Sequence, residues 1–152
     1  MVSPFGIAVE NGPEDNLSSM STFGAAWLTM AIAFGFHVID EAATDFLASY
    51  NPIARRIQEK IRIPFPPTFT FWPWFLGLLA ISIILIDLTP LAAGYDRRVI
   101  GLAIFLGIIN VGNGLLHIVA AIRLGRRVPG VISAPFLLAS AVWLLISALR
   151  SL

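Results

Sequence analysis

Residues 23–47 read FGAAWLTMAIAFGFHVIDEAATDFL, an apolar run from Phe23 to Leu47 whose four ionisable residues, His37, Asp40, Glu41 and Asp45, all fall in its second half. A helix of about 20 apolar residues spans the hydrocarbon core of a bilayer. This run is long enough, begins behind the capping candidates Ser21 and Thr22, and is expected to stop at Asn51-Pro52. A carboxylate at mid-helix in lipid costs roughly 2.5–3.5 kcal/mol even on the lenient insertion scale, so its presence asks for a reason.

The rest of the chain fits the same solvent. Of its 152 residues 57% are hydrophobic and 12% charged, against about a quarter charged in soluble domains. Further spans are expected at about 71–88, 99–122 and 131–149. The second opens on Phe71, Trp72 and Trp74, the aromatic residues typical of a lipid–water boundary. Pro90 and Gly94 end it. The third exits at Arg123, Arg126 and Arg127, and the fourth carries Pro135 in its opening turns. Residues 1–20, with Glu10, Glu14 and Asp15 among Gly, Pro and Ser, read as a polar tail. The segment 51–70 reads as a basic, proline-rich loop with a short interfacial helix at its start. The predicted fold is therefore all-α, a four-transmembrane-helix bundle over residues 21–152 forming a single domain. A net charge of +1 and the absence of cysteine give no reason to expect a nucleic-acid partner, and exclude disulfides and thiolate metal sites.

Seven of the ten Lys and Arg residues follow the first and third spans. Basic loops favour the cytoplasm, so both termini are expected on the non-cytoplasmic side of an inner or plasma membrane. At about 100° per residue His37, Asp40, Glu41 and Asp45 occupy an arc of about 140° on the first span. Asn110, Asn113 and His117 share a narrower arc on the third. Counting from the basic ends brings the two polar faces to one depth, with His117 near the level of Asp40 and Glu41. His37, Asp40, Glu41 and His117 are the candidate catalytic and metal-ligating residues, and Asn110 and Asn113 the candidate supporting or cofactor-binding ones. Carboxylate and imidazole aimed at one point between helices is how bundles hold metals. The donors suit a divalent transition metal, iron, manganese or zinc, rather than calcium.

His37-Val-Ile-Asp40-Glu41 resembles the signature of the HXXEE family of small multi-span membrane proteins. Asn113-x-x-x-His117 and Pro129-Gly130-Val131 look like the second half of that family's pattern. Asp40 departs from it, standing where the family has its first Glu. The resemblance implies a shared site and no reaction, since the family's activity is undefined.

Each residue also has a plainer reading. Intramembrane histidines often satisfy a neighbouring carbonyl, and the acids and histidines together would also make a structural polar network that fixes helix register. Asn110 and Asn113 suit interhelical hydrogen bonding, Asp45 and Asp87 suit the solvated interface, and Gly107, Gly112 and Gly114 suit close helix approach. Three functional classes follow. One is a membrane-embedded enzyme, metal-dependent or acid/base, acting on a lipid-like or other hydrophobic substrate. Another is a haem- or pigment-binding subunit of a membrane complex. The third is a proton or ion pathway, or a purely structural core. Membrane lipids are expected partners in all three, with assembly into an oligomer or larger complex compatible with each.

Overall fold

Ser21 caps the first helix: its hydroxyl accepts from the Gly24 amide at 3.1 Å and donates to the Ala93 carbonyl at 3.1 Å, satisfying one of the free N–H groups of the opening turn. The computed structural model describes residues 21–152, and the polar tail read over residues 1–20 lies outside them. Among the described residues every regular element is a helix: α1 Thr22–Ala43, α2 Phe46–Ile61, α3 Phe71–Asp87, α4 Thr89–Ala93, α5 Arg97–Leu124 and α6 Ala134–Leu149. α1 and α5 are long and apolar enough to cross a membrane, while α3 and α6 are apolar but shorter.

α1 packs by one face. Phe23, Trp27, Met30, Ala31 and Val38 are all buried on that face, while Ile32, Phe36 and Ile39 on the opposite face are exposed, the pattern of a helix with one packed side. Its contacts with α3 are partly polar. The Trp27 indole donates to the Leu85 carbonyl at 2.6 Å, and the Ser82 hydroxyl to the Ala31 carbonyl at 3.1 Å. Across the core, Val99, Ile100 and Ala103 of α5 and Ala141, Leu144 and Ala148 of α6 join the same apolar cluster. α5 and α6 lie close together because of small residues. A Cβ on Gly107 would sit 3.1 Å from Leu145 Cβ, and one on Gly114 would sit 3.0 Å from Leu138 Cβ. Gly112 faces open space, so close approach explains Gly107 and Gly114 and leaves Gly112 unexplained.

Two boundaries differ from the sequence reading. α1 stops at Ala43, before the expected Leu47, because Asp45 turns into the left-handed region at φ 57° just after the Thr44 amide makes the last bond back to the Asp40 carbonyl. The chain then re-enters a helix whose interior contains Pro52, the residue expected to end the first span. α2 also covers what was read mainly as loop. It is held by the chain that follows it: Tyr50 Oη donates to the Pro67 carbonyl at 2.9 Å and Gln58 Nε2 to the Pro66 carbonyl at 2.6 Å, while Asn51 exchanges hydrogen bonds with the Phe69 backbone. A proline-rich return strand has few N–H groups for a ladder, so side chains of α2 satisfy its carbonyls instead. At the other end, α6 begins at Ala134 rather than 131 and places Pro135 in its first turn, where a missing N–H costs nothing. Residues 130–133 are thereby freed to form a turn over the end of α1.

A candidate metal centre

His37 and Glu41 stand one helical turn apart on α1, and His117 reaches them from α5. Glu41 Oε1 lies 3.1 Å from His117 Nε2 and 3.5 Å from His37 Nε2. The two imidazoles meet edge to face with centroids 4.8 Å apart. One ligand atom from each of the three residues falls within 4.8 Å of the others, and all three residues are buried. His37 is 0% exposed and Glu41 5%, so no bulk water satisfies their polar atoms.

The outer nitrogen of each ring decides its proton. His117 Nδ1 lies 2.6 Å from the Pro129 carbonyl oxygen, which only accepts, so Nδ1 carries the hydrogen and donates it. His37 Nδ1 lies 2.8 Å from Ser133 Oγ. That hydroxyl donates to Asp40 Oδ2 at 2.8 Å, its other oxygen neighbour being the Gly130 carbonyl at 3.2 Å. With its one proton directed to an acceptor, Ser133 Oγ accepts from His37 Nδ1–H. In their neutral forms both rings therefore present an Nε2 lone pair toward the same carboxylate oxygen. His37 Nε2 is fully buried with no hydrogen-bond partner, since its lone pair and the Glu41 carboxylate oxygen 3.5 Å away are both acceptors. Such an orphan is costly unless something else satisfies it.

Asp40 does not join this trio. Its Oδ2 accepts from both the Ser133 amide, at 2.9 Å, and the Ser133 hydroxyl, so it acts on His37 at one remove, through the serine. Asn110 is buried about two turns before His117 on α5, donating to the Leu106 carbonyl at 3.0 Å and approaching Met30 Sδ at 3.8 Å. Asn113 is half-buried, one turn before His117. Asp45 and Asp87 are exposed.

One contributor escaped the sequence reading. Ser133 looks like any small residue before a helix, and only the turn that follows Gly130 brings it back to α1. Gly130, noted in the motif, has a structural reason to be glycine. At φ 75° it occupies the left-handed region, and a Cβ there would come within 2.9 Å of Cε1 in both histidines and 3.0 Å of Glu41 Cγ. Its backbone is the wall of the site, tied to α1 where its amide donates to Thr44 Oγ1 at 3.3 Å. On another side Phe46 lies 6.1 Å from the His117 ring and stacks on Trp74 at 5.8 Å.

The donor set tests well against a metal. Imidazole ligands usually donate their second N–H to a carbonyl or carboxylate, which fixes the tautomer and raises ligand basicity; His117 does so directly at Pro129, and His37 through the Ser133 hydroxyl, which in turn donates to Asp40. Two imidazoles and one carboxylate are also a known donor set of catalytic zinc and of non-haem iron, with positions left open for water or substrate.

A family model described as a protein of unknown function with HXXEE motif matches residues 27–144. Neither the curated proteins nor the solved structures contain a match to the chain.

Proposed function

The chain belongs to the HXXEE family, and from that premise we propose that it is a membrane-embedded metalloprotein in which His37, Glu41 and His117 hold one divalent transition metal, iron, manganese or zinc, for reaction on a hydrophobic substrate. The observation that carries this reading is the shared aim of two tautomerically pinned Nε2 lone pairs at one buried carboxylate oxygen. When bound, the metal would supply Lewis-acid activation of a water or of a substrate oxygen. The chain's own part is orientation. Pro129 holds the His117 ring, Ser133 with Asp40 holds the His37 ring, and Gly130 and Phe46 limit the space for water.

The membrane setting draws support from the outer surface. Leu116 is 70% exposed and Ile122 75%, and Phe105, Ile108, Ile83 and Ile84 are exposed as well. An apolar surface of that extent on α3 and α5 suits lipid rather than water. We take α1, α3, α5 and α6 as the four spans, with both termini non-cytoplasmic.

A haem between the histidines fits poorly. Glu41 Oε1 stands within 3.5 Å of both Nε2 atoms, in the gap that a macrocycle would need. A second reading, a proton held between Glu41 and the imidazoles as part of a relay, is favoured by the 3.1 Å Glu41–His117 contact. Metal analysis of protein purified from cells separates the two. The metal reading expects near-stoichiometric transition metal in the parent and in Asp87→Ala, with loss of most of it in His37→Ala and in Glu41→Ala. Equal metal in all four proteins, or none in the parent even after reloading, would leave the relay.

A further inference from the structure

α2 is the element least accounted for by the bundle. Only Leu47 and Ala54 of its residues are buried, yet it runs for 16 residues with Ile53 at 57%, Ile57 at 39% and Ile61 at 45% exposure. Spaced four apart, the three isoleucines form one stripe over an arc of about 80°. Ala54 lies along one border of that stripe, on the side toward the protein. Along the other border, within about 60° of Ile53, come Arg56 and Lys60. Arg55 and Arg62 are exposed beyond them, so the segment carries four cations against a single acid, Glu59. The stripe does not end with the helix. Ile63, Phe65 and Phe69 are exposed along the return strand and lead into Phe71 and the 64% exposed Trp72 at the start of α3.

We infer that α2 is an interfacial helix seated on anionic phospholipids, with Ile53, Ile57 and Ile61 in the acyl boundary and Arg56 and Lys60 on head-group phosphates. This rests on the membrane reading above. Charge complementarity and continuity with the aromatic edge of α3 identify the occupant. An amphipathic helix with apolar and cationic faces side by side lies in the plane of the interface, and its long basic side chains extend along the apolar surface to place their charge among head groups. Each cation near an anionic leaflet adds attraction that zwitterionic lipid does not provide. The Asp45 turn directs the chain out of α1 into this helix, and the clasp by residues 66–69 holds it against the protein.

The full chain has no cysteine, so single substitutions give unique spin-label positions. Ile57→Cys, Glu59→Cys and Leu116→Cys are labelled and reconstituted in phosphatidylcholine vesicles with and without phosphatidylglycerol. Collision with oxygen, which concentrates in lipid, is compared with collision with a water-soluble nickel complex. Position 57 is expected to favour oxygen several-fold more than position 59, to move deeper when phosphatidylglycerol is added, and to lose that movement in the Arg56→Gln/Lys60→Gln background. Equal water contact at 57 and 59 overturns the proposal, as does spin–spin broadening at 57, which would mean a second copy covers the stripe. Depth independent of phosphatidylglycerol overturns the head-group assignment. Position 116 keeps the two readings apart: lipid contact there with water contact at 57 removes only the α2 proposal, whereas water contact at both removes the membrane setting itself.

Discussion

Ser133 shows how one side chain can set the chemistry of another without touching the proposed metal. It accepts from His37 Nδ1 and passes the influence of the Asp40 carboxylate to the ring. Losing an outer hydrogen bond of this kind costs metal sites roughly 10–100-fold in affinity, about 1.4–2.7 kcal/mol. Ser133→Ala should fold, retain the trio and bind metal 10–100-fold more weakly in a chelator competition, while Ser151→Ala, a change far from the site, should match the parent. Unchanged affinity in Ser133→Ala would mean that the serine only closes the turn. The Asp-for-Glu departure at Asp40 is accommodated by the same contact, because the carboxylate meets a serine on an adjacent turn and not the trio itself.

Helices α5 and α6 offer a test of packing against propensity. Gly112 has no neighbour within 4 Å of where a Cβ would be, whereas one on Gly114 would meet Leu138 Cβ at 3.0 Å and the Ala134 carbonyl at 3.1 Å. Replacing a mid-helix glycine by alanine gains up to about 1 kcal/mol in propensity. Gly112→Ala should therefore raise the melting temperature in detergent and Gly114→Ala lower it, since Leu138 and the α6 backbone must give way. A second test concerns the start of α5. Asp96 caps the helix, accepting from the Arg98 amide at 2.9 Å and from its guanidinium, and the Arg98 side chain first, then the backbone amide, lower its pKa from 3.8 to about 2. A depressed folded-state pKa gives stability that is present above the unfolded value and is lost as pH falls through the folded one. The melting temperature should drop between pH 3.8 and about 2 in the parent and drop less in Asp96→Asn, which retains a capping oxygen without the charge. Parallel curves for the two proteins would mean that this cap does not sense acid.

Seen whole, the molecule packs one face of α1 against the other helices, leaves Ile32, Phe36 and Ile39 exposed on the opposite face, and closes one end of α1 with the Gly130–Ser133 turn. The basic segments after α1 and α5, which hold seven of the ten cations, lie at that end with the site and α2. If positive-inside bias acts on them, the site opens toward the cytoplasmic half. A reporter fused after Leu152 should then give a non-cytoplasmic signal, and a cytoplasmic signal would overturn the four-span, termini-out arrangement.

The all-helical class and the pairing of His37 and Glu41 were legible in the sequence, because hydropathy and helical period are local properties and residues four apart on a helix must share a face. At about 100° per residue Asn110, Asn113 and His117 likewise share a polar face on α5. Counting from the basic ends also put His117, rather than either asparagine, level with Glu41, where the structure has it. What was not legible is where Asn110 goes: it meets α1 at Met30 and bonds the Leu106 carbonyl of its own helix, away from the trio. The end of α1 was misread as well. Pro52 is the stronger breaker by propensity, but the left-handed Asp45 ends the helix first, and α2 runs on through the proline with side-chain bonds to the Pro66–Phe69 segment. The tautomers of the two histidines belonged wholly to the tertiary structure. A ring's proton is set by what faces its far nitrogen, and Pro129 and Ser133 come to face His117 and His37 only when the chain turns at Gly130.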